Sequence, residues 1–217
     1  MNKIISMAEA ADMIKDGMTI MISGFLSSGS PEKLIDEIVK KGVRDLTLIC
    51  NDTSYPDRGV GKMVVAKQFK AINVTHIGTN PETIRQTNAG ELGLTLIPQG
   101  TILERMRCGG TGLGGVLTPT GIGTEVENGK EKINVNGRDY LLELPLRADI
   151  ALIYGTYVDK SGNVRYTYTQ QNYNPVMAMA ADVVICEAEN IVEVGEIDQH
   201  DVMTQGILVD YIVGRHA

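Results

Sequence analysis

The 217-residue sequence has no tryptophan, two phenylalanines, three histidines and three cysteines. Each scarcity narrows the possible functions. Cys50, Cys108 and Cys186 are odd in number and far apart, so no disulfide framework is expected. Reduced, mostly buried thiols of a cytoplasmic protein fit better. His76, His200 and His216 stand alone, and no Cys/His spacing matches a zinc site. Core or surface positions are the plain reading for all three. No apolar run nears the ~18 residues a membrane helix needs. The most apolar stretch, Val176 to Cys186, is broken by Asp182. The start, Met1 to Glu9, lacks the long apolar core of a secretory signal. Lys and Arg number 20 against 27 Asp and Glu, for a net charge of −7, and form no long block. Non-specific attraction to nucleic acid therefore has no support.

Several nucleotide and hydrolase motifs are also missing. There is no Walker A sequence. Ser27 has Gly29 after it but Phe25 before it, so the nucleophile elbow of serine hydrolases is absent. Gly110 to Gly115 matches G-x-G-x-x-G in letters only. A dinucleotide site needs that motif directly after a strand and opening a helix. Here a helix is expected before it, and Pro119, Gly121 and Gly123 deny one after it.

What is present is ordinary globular protein: 43% hydrophobic and 22% charged residues. One domain spanning residues 1–217 is expected, within the ~250 residues over which a single core keeps growing. Ser6 and Glu9 form a capping-box pattern before a helix to Lys15. Met18 to Ser23 reads as a buried strand and Gly24 to Ser30 as a loop. Ser30-Pro31 then opens a helix, serine as N-cap and proline at the first helical position, which Gly42 closes. Leu46 to Cys50 is a strand, Asn51 to Gly61 a polar loop, and Ala71 to Ile77 a strand. Asn80-Pro81 starts a helix that Gly90 ends. Leu92 to Pro98 is a strand and Thr101 to Arg107 a short helix. This alternation predicts an α/β fold, a mostly parallel sheet covered on both faces as a three-layer α/β/α sandwich. Cys108 to Gly123, with seven glycines, reads as a long ordered loop. Ile133 to Leu142 reads as a β-hairpin excursion around Asn136-Gly137. Ile150 to Tyr154 and Val183 to Glu187 are further core strands. Val164, Tyr166 and Tyr168 alternate beyond a turn at Asp159 to Asn163.

Two places carry candidate chemistry. The loop after the first strand lies at the carboxyl end of a parallel sheet, where ligands bind. It leads into a helix N-terminus, which favours anions, and Gly24 and Gly29 would let a ligand approach the backbone. A tight turn without a ligand explains the spacing equally well. Asn51, Asp52 and Gln99 follow strands, where such side chains can hold a carboxylate or carbonyl oxygen. Turn chemistry accounts for Asp52 better and for Gln99 about equally.

Asp16 to Pro31 resembles the first signature of family I CoA-transferases: Asp-Gly, an apolar strand, Gly-Gly-Phe, then Gly-x-Pro. The likeness continues through Asn51-Asp52-Thr53, His76 to Pro81, Pro98 to Thr101, Glu104 to Arg107 and the Gly109 to Gly123 loop. It extends to Leu144 to Asp149 and Asn172 to Pro175. These blocks are similar to the α subunits of acetate/acetoacetate and butyrate/acetoacetate CoA-transferases. Ser23 departs from the pattern, standing for the first glycine of Gly-Gly-Phe. There it would narrow the approach to the backbone or donate a hydrogen bond. Gln205 stands for a usual proline, touching only a turn.

The resemblance implies CoA transfer between short-chain carboxylic acids through a glutamyl-CoA thioester. The glutamate is expected in a Ser-Glu-Asn-Gly motif on a β subunit, so no catalytic nucleophile is expected in this chain. Coenzyme A is then a substrate, and neither a metal nor another cofactor is implied. An α2β2 heterotetramer is the implied assembly. The implied CoA-binding residues are Ser23, Gly24, Phe25, Leu26, Ser27, Ser28 and Gly29, with Asn51, Asp52 and Gln99 supporting the reacting carboxylates. Glu127-Asn128-Gly129 imitates the nucleophile motif, but Val126 replaces its serine. Two alternatives remain on sequence grounds: a non-catalytic CoA-binding module, and a sugar-phosphate isomerase or deaminase of related architecture.

Overall fold

The computed structural model describes residues 3–216. Met1 and Asn2, which open the N-terminal stretch read above, lie outside them, as does Ala217. The first half alternates as its periodicity predicts. In order come α1 (Met7–Met13), β1 (Thr19–Ile22), α2 (Glu32–Lys41), β2 (Leu46–Ile49) and α3 (Gly61–Val65). Then follow β3 (Phe69–Val74), α4 (Pro81–Asn88), β4 (Gly93–Leu96) and α5 (Gln99–Thr111). The second half holds β5 (Val116–Thr118), β6 (Lys132–Val135), β7 (Arg138–Glu143), β8 (Ala148–Asp159) and β9 (Val164–Arg165). It ends with α6 (Asn174–Met179), β10 (Ala181–Val192) and β11 (Tyr211–Gly214).

The main sheet runs β11-β10-β8-β1-β2-β3-β4. Neighbours along this path are parallel, and β9 adds antiparallel to β8. The central strands are buried on both faces, which is why they read as unbroken apolar runs. Their side chains alternate between two cores. Ile20, Ile22, Ile150 and Leu152 join Ala10, Leu34, Ile38 and Met63 of α1, α2 and α3. Met21, Ala151 and Ile153 join Ile102 and Met106 of α5 and Met177 of α6 on the other face. The result is the expected three-layer α/β/α arrangement. The chain builds outward from β1 through β4, then returns to place β8 on the other side of β1. Parallel sheets bind ligands at such a reversal of direction.

Local signals placed several boundaries. Ser6 and Glu9 form a reciprocal capping box, and the helix ends at Met13, two residues before Lys15. Asn80 caps α4 through its side chain. Asn136 and Gly137 take φ of 53° and 81° in the β6–β7 turn, and the hairpin joins β5 in a separate antiparallel sheet, β5-β7-β6. Three expectations fail. Pro31, not Ser30, is the N-cap of α2, and no side chain of its own segment caps that helix. The glycine-rich stretch is not one loop: Cys108 to Thr111 continue α5, and Val116 to Thr118 form β5. Gly109 and Gly110 lie against the Leu146 carbonyl and Met179, so their smallness permits close packing rather than breaking the helix. Tyr168 is 94% exposed, in a 3-10 turn, and so does not continue the alternation of Val164 and Tyr166.

Candidate active site

The loops leaving β1, β2 and β3 and the start of α5 enclose a cleft of about 350 Å³. Phe25 and Leu26 come from the first loop, Asn51 and Asp52 from the second, Thr75, His76 and Thr79 from the third, and Gln99 from α5. Of the Ser23 to Gly29 loop only Phe25 and Leu26 line this cleft beside Asn51, Asp52 and Gln99, whereas Ser23, Gly24 and Ser27 line a smaller recess next to Asp52 and Ser28 and Gly29 line neither. Gln99 begins α5 rather than ending a strand, two residues ahead of the expected helix. His76, read as an isolated core or surface residue, lines the same cleft. Its signal in the sequence was only its position after a strand.

The β1 loop has an unusual backbone. Phe25 and Ser28 exchange backbone hydrogen bonds, Phe25 N to Ser28 O at 3.0 Å and Ser28 N to Phe25 O at 2.9 Å. The two residues between them, Leu26 and Ser27, have φ of 48° and 76°. A turn with two positive φ values ordinarily uses Asn or Gly, and leucine in that region is strained. Surrounding contacts hold it. Leu26 N donates to Asp52 Oδ2 at 3.1 Å, and Ser27 Oγ bonds Ser54 Oγ at 2.6 Å. Asn172 Nδ2 donates to Ser28 O at 2.9 Å. Ser23 Oγ donates to Gly29 O at 2.9 Å. The hydroxyl that replaces the usual glycine is buried and ties the base of the loop, so it does not narrow the cleft. Gly29 has φ of 70°, and a Cβ there would collide with the Gln170 carbonyl oxygen. Its requirement for glycine is thus met inside the protein, against the segment after β9.

Asp52 organises the floor. It is 4% exposed, and its carboxylate accepts from Leu26 N, from Asn51 Nδ2 at 2.7 Å and from Ser54 N at 2.7 Å. The Ser54 bond is the turn chemistry expected of aspartate, and the Leu26 bond goes beyond it. Asn51 Oδ1 in turn accepts from Gln99 Nε2 at 2.8 Å. Tyr173 donates its hydroxyl to the Gln99 carbonyl oxygen at 2.8 Å, and its burial raises the phenol above the usual range. One connected network therefore runs from the strained loop through Asp52 and Asn51 to Gln99.

The helix terminus read as an anion site is already occupied. Glu187 on β10 is fully buried, and its Oε2 accepts from Lys33 N at 2.9 Å and Leu34 N at 2.8 Å. The acceptor at the start of α2 is the protein's own carboxyl group, which replaces the cap that Ser30 does not provide. Its Oε1 has no hydrogen-bond partner and lies 3.8 Å from Arg215 Nε. Burial raises this carboxyl from 4.5 to about 7 against those favourable contacts. The folded chain then keeps a proton that the unfolded chain releases. The group's contribution to stability is full below its unfolded value and is lost as pH rises through about 7. Urea midpoints of the wild type are expected to fall over that window, and Glu187→Gln is expected to flatten the fall. Parallel pH profiles for the two proteins would contradict this.

Glu127 sits elsewhere. It ends a 3-10 turn before the hairpin, accepts from Gly123 N at 2.7 Å and pairs with Lys132. Both partners hold its carboxyl below the usual range, and it does not line the cleft.

A sequence-family model for coenzyme A transferases matches residues 4–215. The chain belongs to the coenzyme A transferase family. It is 52% identical to the acetoacetyl-CoA:acetate/butyrate CoA transferase alpha subunit of Clostridium acetobutylicum, over 100% of this chain and 99% of that one. It is 46% identical to the acetate CoA-transferase subunit alpha of Escherichia coli K12, over 97% and 96% of the two chains. Solved folds agree. An acyl-CoA transferase from Escherichia coli O157:H7 superposes with a TM-score of 0.86 at 21% identity, over 98% of this chain and 47% of that one. The chain thus spans about half the length of that solved relative. Glutaconate coenzyme A-transferase from Acidaminococcus fermentans gives 0.84 at 20% identity, over 97% and 75% of the two chains. Among the described residues, no helix of this family member is long and apolar enough to cross a membrane.

Proposed function

We propose that this chain is the α subunit of a short-chain acyl-CoA:carboxylate CoA-transferase, whose catalytic glutamate is supplied by a β subunit. One observation carries the reading. Asp52, the only carboxylate among the described residues that line the cleft, is buried and holds three donors. A carboxylate so engaged is poorly placed to attack a thioester. The nucleophile has to come from outside this chain.

In the proposed reaction the partner's glutamate carboxylate attacks the acyl-CoA thioester carbonyl. CoA thiolate leaves, and an acyl–glutamyl anhydride remains. The thiolate attacks the glutamyl carbonyl, which releases the carboxylic acid as its anion and leaves a glutamyl-CoA thioester. The acceptor carboxylate runs the same two steps in reverse, giving ping-pong kinetics. Each step places negative charge on a carbonyl oxygen, where fixed amide donors lower the barrier most. Gln99, held by Asn51 and by the first turn of α5, is the amide suited to that task. The Ser23 to Gly29 loop lies beside the CoA chain in this reading. Coenzyme A enters as substrate, with no metal or redox cofactor. The unit is a single domain over residues 1–217 of a cytoplasmic α2β2 assembly that binds neither nucleic acid nor membrane.

The test is the position of the covalent intermediate. The assembled protein is mixed with acetoacetyl-CoA, and its subunits are weighed separately by mass spectrometry. The partner is expected to gain one CoA less one water, and this chain to stay unmodified. An adduct on this chain would overturn the reading.

A further inference from the structure

We infer that the His76 imidazole is a further substrate-binding group, which receives the carboxylate of the free acid in the cleft. The inference rests on the transferase reading, because it presumes that a carboxylate enters there.

A free acid brings a negative charge into a cleft that already contains the Asp52 carboxylate. In the proposed assembly it also meets the partner's glutamate. Among the described side chains lining the cleft, His76 alone has a ring N–H, and that N–H has no partner within the described residues. The other lining donors are largely committed. Asn51 Nδ2 serves Asp52, and Thr79 Oγ1 serves Ser54 O at 2.7 Å. One Gln99 N–H serves Asn51 Oδ1, and Thr75 Oγ1 lies 3.5 Å from the same oxygen. The His76 side chain makes no hydrogen bond within the described residues and is exposed to the cleft and solvent. What remains for an incoming carboxylate is a histidine N–H, with the second amide hydrogens of Gln99 and of the buried Asn51 beside it.

The backbone of the histidine is held in place. Its backbone extends the β2–β3 pairing as a bridge to Asp52, and its carbonyl accepts from Thr53 N at 3.4 Å. Its ring rests against Gly78, where a Cβ would come within 2.7 Å of Cε1. A larger residue at 78 would displace the imidazole. An N–H donated to a carboxylate forms a charge-assisted hydrogen bond, among the stronger kinds.

Direct binding separates this role from general damage. In the assembled enzyme, His76→Ala is expected to weaken acetate binding about tenfold, read as a dissociation constant by titration calorimetry. The dissociation constant for CoA, which has no carboxylate, should stay within about twofold. The values of kcat/KM for acetate and for acetyl-CoA should fall together, because the two directions share a transition state. His76→Gln, which keeps an N–H donor, should recover part of the loss for acetate. Thermal midpoints should not move, because the side chain is exposed and makes no internal hydrogen bond. Equal losses of acetate and CoA affinity, or no change in either beside an active wild type, would overturn the role of His76 alone. An assembled wild type that transfers no CoA would bring down the transferase reading and this inference together.

Discussion

Asp52→Ala is expected to lower kcat/KM of the assembled enzyme by at least about 100-fold, the scale of a displaced catalytic group. It should also destabilise the chain by about 2–4 kcal/mol, the range for stranding buried donors of a charged acceptor. The substitution leaves Leu26 N, Ser54 N and Asn51 Nδ2 without their shared acceptor. Two consequences follow in space. Leu26, at φ of 48°, loses the bond that holds it in a costly conformation, so the loop can relax to ordinary backbone angles. Asn51 loses the contact that fixes its amide, and Gln99 then loses a fixed acceptor. Asp52→Asn keeps the size and one oxygen, so it should fall between the two. Urea titration together with steady-state kinetics, at a temperature where the variants stay folded, reads both effects. Loss of stability with undiminished turnover would reduce Asp52 to a turn residue.

This network shows where the sequence was informative and where it was not. Ser6 with Glu9, Asn80 before Pro81, and Asn136-Gly137 each act on neighbours within three residues or so. Their structures were therefore legible from local spacing. The α2 cap was not, because its acceptor, Glu187, is 154 residues from Lys33. A Ser-Pro pair gives a local signal, and here a distant buried carboxylate overrides it. The same holds for Gly29, whose steric partner is Gln170, and for Leu26, which nothing in its own segment marks as left-handed. Strands β8 and β10 run twelve residues each, well beyond Ile150 to Tyr154 and Val183 to Glu187. Their polar ends, such as Thr156 and Asn190, break the apolar pattern although the pairing continues to Asp159 and Val192. The cleft residues Asn51, Asp52 and Gln99 were reachable because each closely follows a predicted strand. Their connection into one network was not, since it depends on the register of β1, β2 and α5 in space.

The larger expected effect concerns the missing nucleophile. In this account the chain supplies shape, fixed dipoles and donors, but no group that attacks the thioester. Asp52 is committed to three donors, and Glu127 is bound by Gly123 and Lys132 away from the cleft. Losing a covalent nucleophile costs turnover on the order of 10⁶-fold elsewhere. The chain alone should thus be inert rather than weakly active. CoA transfer from acetoacetyl-CoA to acetate and to butyrate, by this chain alone and by the chain co-purified with its partner, tests this most directly. The account predicts transfer by the complex and none above background by the chain alone. Turnover by the isolated chain that disappears in Glu127→Gln would contradict it and place the nucleophile here.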